Sequence, residues 1–261
     1  MSWQDYLNRC NSCPVPTLSP GIVVNQLEKS ITALECKDAR YFEERLHAGD
    51  AWRFYTDFRQ TAAFVDIETT GLYSGTDSIT VIGLYNGHST KVFVQGKNLE
   101  EFGNEVRKYS LLVTFNGKRF DLPFIRSVFG DLPPLQGHID LLYPLRKLGL
   151  RGGLKSIERQ LGLEREGSLK KADGYLAVLL WGEYKKGNKA ALDTLVRYNL
   201  EDVVNMQYLA DWVYNEGASR LPITLEKLPA PSKYEVDVPF DEELVEYLSQ
   251  AIEEQRTNRS Y

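Results

Sequence analysis

The sequence has few cysteines and histidines, no long apolar run and no excess of basic residues. Its 3 cysteines among 261 residues are an odd number that cannot form a complete disulfide framework, so we expect a reducing, cytoplasmic environment. No apolar run approaches the roughly 20 residues that a transmembrane helix requires. The first ten residues lack the basic and then apolar pattern of a signal peptide. We therefore expect neither secretion nor membrane insertion.

The overall charge is slightly acidic. The chain has 31 Lys and Arg against 36 Asp and Glu, a formal net charge of −5, which argues against a protein that coats nucleic acid with a generally basic surface. Residues 224–261 hold nine acidic and four basic residues, a net of −5, so the rest of the chain is neutral. Residues 144–171 hold eight basic and three acidic residues, a net of +5. This distribution is compatible with an enzyme that has acidic metal ligands and one basic groove.

Short apolar segments alternate with segments of helical periodicity in the middle of the chain. Three strands are predicted first, with a hairpin at Asn86-Gly87, followed by helix, strand, helix and strand. From about residue 143 the periodicity is helical. The predicted strands are AAFVDIET, SITVIGLYN, TKVFVQG, LLVTFN and the start of HIDLLYPL. This order predicts an α/β fold, a mixed sheet with helices on its faces.

We divide the chain into three segments. Residues 1–60 are predicted to be an N-terminal appendage with two short helices, broken at Gly49. Residues 61–217 hold the α/β domain, and residues 218–261 form a linker and a terminal helix. The sequence shows no internal repeat that would indicate a solenoid.

Two carboxylates lie inside the first predicted strand. Asp66 and Glu68 are two residues apart, so both point to one face, while Val65 and Ile67 point to the other. Two adjacent buried carboxylates are costly unless they are compensated, and a bound cation would compensate them. The alternative is an edge strand with a solvated polar face.

Two further acidic positions come later in the chain. Asp121 follows the fourth strand and begins a helix, where its alternative role is that of a helix N-cap. Tyr198 and Asp202 are four residues apart and share one helical face, although an amphipathic helix with a tyrosine at the edge of the core would show the same spacing. Mg²⁺ and Mn²⁺ prefer carboxylate oxygens and water. Two such ions roughly 3.5–4 Å apart can stabilise both oxygens of a phosphoryl displacement.

Three segments resemble the exonuclease motifs of a known superfamily. FVDIETTGL, TFNGKRFD and YNLEDV, in this order, resemble the three motifs of the DEDD (DnaQ-like) 3′–5′ exonuclease superfamily, which has a ribonuclease H-like fold. The tyrosine four residues before Asp202 is similar to its tyrosine subgroup; the histidine subgroup would have a histidine at Arg197. Over about residues 38–215, segments such as DAWRFYTDFRQ and GGLKSIERQLGL also resemble a prokaryotic family of ribonuclease H-like exonuclease candidates.

The resemblance implies roles for individual residues. The ligands of two divalent cations, Mg²⁺ or Mn²⁺, would be Asp66, Glu68, Asp121 and Asp202. Tyr198 would orient the attacking water, because a phenol with a pKa near 10 is a poor base at neutral pH. The terminal nucleotide would contact the remaining residues that the motifs indicate, namely Thr70, Gly71, Leu72 and Asn116. For Phe120 we favour a place in the core over a base-stacking role.

Other features are less specific. Lys155, after Gly152-Gly153, is our candidate for a phosphate contact, and its alternative is a solvated helix face. His138 and Asp140 alternate on the fifth strand, where they either assist the site or belong to the core.

The cysteines permit two interpretations. A zinc site formed by Cys10, Cys13, Cys36 and His47 is conceivable, but it lacks a second closely spaced pair of ligands. We favour free thiols.

The sequence thus predicts a metal-dependent nuclease, a 3′–5′ exonuclease acting on single-stranded DNA or RNA ends. The alternatives are a structure-specific endonuclease of the same fold and a non-catalytic nucleic-acid-binding protein.

Overall fold

The computed structural model describes residues 20–163, 174–230 and 234–258. Its centre is one five-stranded mixed sheet, in the spatial order β3-β2-β1-β4-β5. The first three strands are antiparallel neighbours, and β4 and β5 run parallel to β1. The strands are β1 Ala62–Thr69, β2 Ile79–Tyr85, β3 Thr90–Val94, β4 Leu111–Thr114 and β5 Gly137–Asp140. The predicted α/β fold is confirmed, and it is a ribonuclease H-like fold.

Helices cover both faces of this sheet. They are α1 Pro20–Glu35, α2 Ala39–Glu43, α3 Tyr55–Phe58, α4 Phe102–Glu105, α5 Asp121–Phe129, α6 Leu142–Lys147, α7 Leu154–Gln160, α8 Gly174–Lys185, α9 Lys189–Ser219 and α10 Glu242–Asn258. Short 3₁₀ segments occupy 48–54, 59–61, 99–101 and 106–108. Gly49, the predicted break between two short helices, lies in the first 3₁₀ segment, between α2 and α3. Helix α1 was not predicted. No helix in these described ranges is long and apolar enough to cross a membrane.

The alternation of β1 divides the core between its two faces. Val65 and Ile67 pack in one apolar cluster with residues of α4 and α5, whereas Phe64 packs in another with residues of α9. The side chains of Val65 and Ile67 are fully or almost fully buried. Asp66 and Glu68 share the face of Phe64, so they are directed toward α9.

The terminal segments make specific contacts with α9. Asp211 of α9 forms an ion pair with Arg59, and a side chain at Gly217 would lie 2.6 Å from Trp52. On the other side, Arg197 donates to the backbone carbonyls of Val236 and Val238. These contacts cross both predicted segment boundaries, and the three-segment division stays a prediction.

Candidate metal centre

Three carboxylates from two elements converge on one face of the sheet. Asp66 and Glu68 of β1 and Asp202 of α9 each offer an oxygen, and these oxygens lie within 4.8 Å of one another. Glu68 and Asp202 are 8% and 6% exposed, and Asp66 is half-buried. Because carboxylate oxygens are the preferred ligands of Mg²⁺ and Mn²⁺, this set of residues fits a hard divalent cation.

Asp121 lies beside this cluster rather than in it. It is the first residue of α5, its side chain is buried, and its Oδ1 accepts a hydrogen bond from the backbone N–H of Ile67 at 3.2 Å. The N-cap of α5 is Phe120, so the carboxylate of Asp121 reaches the sheet instead of capping its own helix. Its charge acts on Glu68, which places it next to the other three carboxylates.

The carboxylates of this site repel one another. Burial, followed by the charge of Asp202, raises the pKa of Glu68 well above its usual range, while the Lys155 ammonium lowers it. Burial also raises the pKa of Asp121 to about 7, against the opposing effect of backbone N–H donors. Groups of like charge at a buried site resist ionisation together. A divalent cation would supply the positive charge that lets them ionise.

Lys155 and Tyr198 form a contact at this site. The Nζ atom of Lys155 lies 3.8 Å from the centroid of the Tyr198 ring, a cation–π distance. Tyr198 is 4% exposed, and its ring packs in an apolar cluster with residues of α8 and α10. The structure thus brings Lys155, predicted as a phosphate contact, close to both Tyr198 and Glu68.

The segment after β1 is a closed loop. Thr70 is bonded within it, because its N–H donates to the Ser78 carbonyl at 2.9 Å and its Oγ1 accepts from Ser78 N at 3.0 Å. Gly71 faces the Asp77 carboxylate, which would lie 2.6 Å from a Cβ at that position. Leu72 is 74% exposed at the tip of this loop. Leu72 is therefore an apolar side chain that is largely open to solvent at a position predicted to contact substrate.

The turn between β4 and α5 is held by Asp140. Its carboxylate accepts from the N–H of Asn116 at 2.7 Å, of Lys118 at 3.1 Å and of Leu142 at 3.1 Å. Asn116 has a positive φ of 63°, which asparagine tolerates better than most residues. Asp140 therefore shapes the turn that carries Asn116 and leads into Asp121.

Two other predicted residues belong to the core. Burial lowers the pKa of His138 to about 3, so this histidine is neutral near pH 7, and its Nε2 is 2.8 Å from Thr114 Oγ1. Phe120 packs against Phe124 with ring centroids 5.2 Å apart. Neither residue is directed to the carboxylate cluster by any contact within the described ranges.

Part of the sequence prediction concerns residues outside the described ranges. Cys10 and Cys13 lie there, and so do residues 164–171 of the basic segment. Cys36 and His47 are described and exposed. The zinc interpretation stays a prediction.

Sequence reasoning missed Asn199. This buried side chain of α9 donates from Nδ2 to Asp66 Oδ2 at 2.9 Å and to the Asp66 carbonyl at 3.2 Å. The signal that could have revealed it is Gly83, a glycine inside an apolar strand, which often marks a close approach of another group. Gly83 pairs with Asp66 across the sheet.

The fold and the site define a class: a ribonuclease H-like α/β domain with a candidate cation site formed by β1 and α9. A family model described as RNase_H superfamily matches residues 63–214. The match covers more than half of the chain, and the chain belongs to this superfamily.

Known proteins are similar to parts of the chain. The uncharacterized protein YprB of Bacillus subtilis (strain 168) is 33% identical over 165 residues, 55% of this chain but 39% of YprB, so this chain matches well under half of that relative.

Among solved structures, similarity extends to the family B DNA polymerase of Pyrobaculum calidifontis, with 18% identity, a TM-score of 0.45, and coverage of 62% of this chain and 26% of that one. Brucella melitensis NrnC with bound Mg²⁺ is 21% identical with a TM-score of 0.40, over 61% and 74% of the two chains. Likenesses at this level carry no information about activity.

Proposed function

We propose that this protein is a two-metal-ion nuclease of the DEDD tyrosine type, a 3′–5′ exonuclease that acts on single-stranded DNA or RNA ends. The observation that carries the proposal is the convergence of Asp66, Glu68 and Asp202 within 4.8 Å, with Tyr198 one helical turn before Asp202. Membership of the RNase_H superfamily supports it. The burial of Glu68 and Asp202 supports it further, because like charges at a buried site resist ionisation together, and a divalent cation would relieve that repulsion.

The proposal assigns a role to each side chain of the site. Asp66, Glu68 and Asp202 would hold one divalent cation, Mg²⁺ or Mn²⁺. Asp121 would give up its hydrogen bond with Ile67 N and become a ligand of a second cation. When bound, such cations lower the pKa of water and stabilise charge at the phosphate. Tyr198, in its neutral form, would orient the attacking water.

Lys155 is assigned to the phosphate side of the site. Its ammonium is already close to the Tyr198 ring and acts on the charge of Glu68. A cation at this place would attract a phosphodiester toward the carboxylates and stabilise the negative charge that develops there.

The loop after β1 supplies a surface for an unpaired nucleobase. Leu72 and Tyr73 are 74% and 73% exposed, and the Asp77 carboxylate accepts a hydrogen bond from the Tyr73 N–H at 2.9 Å, which fixes the loop. Exposed aromatic side chains beside a nuclease site are suited to stacking on single-stranded bases. Glu68 precedes Leu72 by only four residues, so the stacked base would be close to the scissile phosphate.

Replacement of Tyr73 by alanine is expected to weaken the binding of single strands. The KM for an oligonucleotide should rise about tenfold, within the ~1–3 kcal/mol that one stacked base contributes, while kcat changes little. Steady-state kinetics on a labelled single strand measure both constants. Tyr247→Ala is the matched control, since Tyr247 is 68% exposed on α10. An unchanged KM for Tyr73→Ala would remove this surface from the substrate site.

The experiment that tests the proposed function is a nuclease assay with defined ends. Linear, circular and 3′-blocked single strands and duplexes of DNA and RNA are incubated with Mg²⁺ or Mn²⁺. We expect stepwise release of 5′-monophosphates from free 3′ ends, no cleavage of circles, and complete inhibition by EDTA. Cleavage of circles would instead indicate the endonuclease alternative. Binding of the substrates without cleavage in any metal would indicate a non-catalytic nucleic-acid-binding protein.

A further inference from the structure

Asn199 is fully buried between the two elements that form the metal centre. It follows Tyr198 and precedes Asp202 by three residues on α9, and it is 0% exposed. Its Nδ2 donates to both the side chain and the backbone carbonyl of Asp66. The same amide also lowers the pKa of the Glu68 carboxyl, against the stronger opposing effect of burial. One amide therefore holds Asp66 directly and favours the ionised form of Glu68.

The neighbouring strand is shaped to admit this amide. Gly83 of β2 pairs with Asp66, and a Cβ at Gly83 would lie only 2.1 Å from Asn199 Oδ1 and 3.4 Å from Val203 Cγ1. Any larger residue at Gly83 would displace either the Asn199 side chain or α9 itself. The other residues of β2 are mostly apolar residues typical of a strand. A glycine is required at position 83 because a larger side chain would not fit beside Asn199.

One hydrogen-bonding group of the Asn199 amide is left unsatisfied. Asn199 Oδ1 is buried and has no hydrogen-bond partner among the described residues. A buried carbonyl without a donor costs free energy, and an apolar side chain of similar volume would avoid that cost. The advantage of asparagine at this position is therefore that its Nδ2 donates to the carboxylate and the backbone carbonyl of Asp66.

We propose that Asn199 is a positioning residue, which orients the Asp66 carboxylate for cation binding and sets the spacing between β1 and α9. An uncharged donor suits this role, because it fixes a carboxylate oxygen without neutralising the charge that a cation needs. A lysine in its place would compete with the cation. The hydrogen bond to Asp66 O ties the same amide to the strand backbone, so Asp202 and Tyr198 are placed relative to β1 by one contact.

The inference rests on the proposed function only for its activity readout, because the primary measurement is cation binding by the full chain. The Kd for Mn²⁺ is measured by electron paramagnetic resonance for wild type and for Asn199→Leu, which retains side-chain volume and removes the donor. We expect Mn²⁺ to bind 10–100-fold more weakly to the variant, the range for loss of a group that orients a ligand. Saturating Mn²⁺ should restore most of the nuclease activity, because the cation ligands themselves are intact.

A matched control lies on the same helix. Asn215 also forms two hydrogen bonds through its amide, both to Leu228, and it is 16 residues from Asn199. Asn215→Leu should keep the wild-type affinity for Mn²⁺. Gly83→Ala provides a second variant that leaves Asn199 in the sequence and disturbs its place, and it should weaken Mn²⁺ binding as well.

The outcomes separate this inference from the proposed function. Mn²⁺ binding by Asn199→Leu with wild-type affinity would overturn the inference, and so would an equal loss in Asn215→Leu, which would indicate a general effect on α9. A wild-type protein that binds Mn²⁺ tightly and cleaves no substrate would overturn the proposed function and leave the inference to be decided by the Kd values alone.

Discussion

Asp202→Asn is expected to lower kcat/KM on a single-stranded substrate by about 10³-fold or more. The substitution keeps the shape of the side chain and removes one of the three charges that lie within 4.8 Å of one another. Loss of a metal ligand removes several kcal/mol of transition-state stabilisation, and each ~1.36 kcal/mol corresponds to a factor of ten in rate. The Mn²⁺ affinity should fall in parallel, measured by the same titration as for wild type.

The same variant should be folded at least as stably as wild type in the absence of divalent cations. Asp202 opposes the ionisation of buried Glu68, so its neutralisation relieves a repulsion in the cation-free protein. Asp193→Asn on the same helix is the matched control, because Asp193 is exposed and lies more than two turns away. A wild-type kcat/KM for Asp202→Asn would refute the site, whereas a large fall in melting temperature would attribute the loss of activity to unfolding.

Asp211→Ala is expected to lower the free energy of unfolding by roughly 3–5 kcal/mol, the range for removal of one partner of a buried ion pair. Asp211 is 1% exposed. Its oxygens accept from Tyr55 OH at 2.9 Å, from Arg59 Nε at 2.9 Å and from Arg59 Nη2 at 2.8 Å. The substitution leaves the hydroxyl of Tyr55 and the guanidinium of Arg59 without their acceptor. Urea denaturation followed by circular dichroism measures the difference.

A surface ion pair provides the comparison for Asp211. Asp50 pairs with Lys147 and Arg53, whose side chains are 56% and 44% exposed, and exposed pairs contribute about 0–1 kcal/mol. Asp50→Ala should therefore have a small effect. If both substitutions lower the free energy of unfolding by the same amount, the contacts of Asp211 with Tyr55 and Arg59 stabilise the protein less than their burial indicates. Asp211 is nine residues beyond Asp202, roughly 13 Å along the helix, so Mn²⁺ affinity should be unaffected by its removal.

Much of the fold followed from local patterns. β1 occupies the predicted residues 62–69. A short run of β-branched and apolar residues between polar segments is typical of a buried strand. The helix α9, Lys189–Ser219, lies in the part of the chain predicted to be helical, since its apolar residues recur at helical spacing. The N-terminal region was predicted less well. Its 3₁₀ and short helical turns are stabilised by aromatic packing such as Phe54 on Phe58, which periodicity does not reveal.

The candidate site shows a similar division. That Asp66 and Glu68 share a face is a consequence of strand alternation, and that Tyr198 and Asp202 share a face is a consequence of helical spacing. Thr70 stays a predicted substrate contact, whereas the hydrogen bonds of its hydroxyl within its own loop were not predicted. Loop hydrogen bonds depend on the closure of the chain between residues 70 and 78, and no periodic pattern encodes that closure.

By itself, then, the sequence determined which acidic side chains leave their strand or helix on the same side, because that property depends only on the local repeat of the backbone. Only the tertiary structure decided that β1 and α9 meet and bring the oxygens of Asp66 and Asp202 within 4.8 Å. It also decided that Asp121 contacts Ile67 N and that Asn199 enters the space left by Gly83. These are contacts between residues far apart in the chain, and they depend on the packing of whole elements.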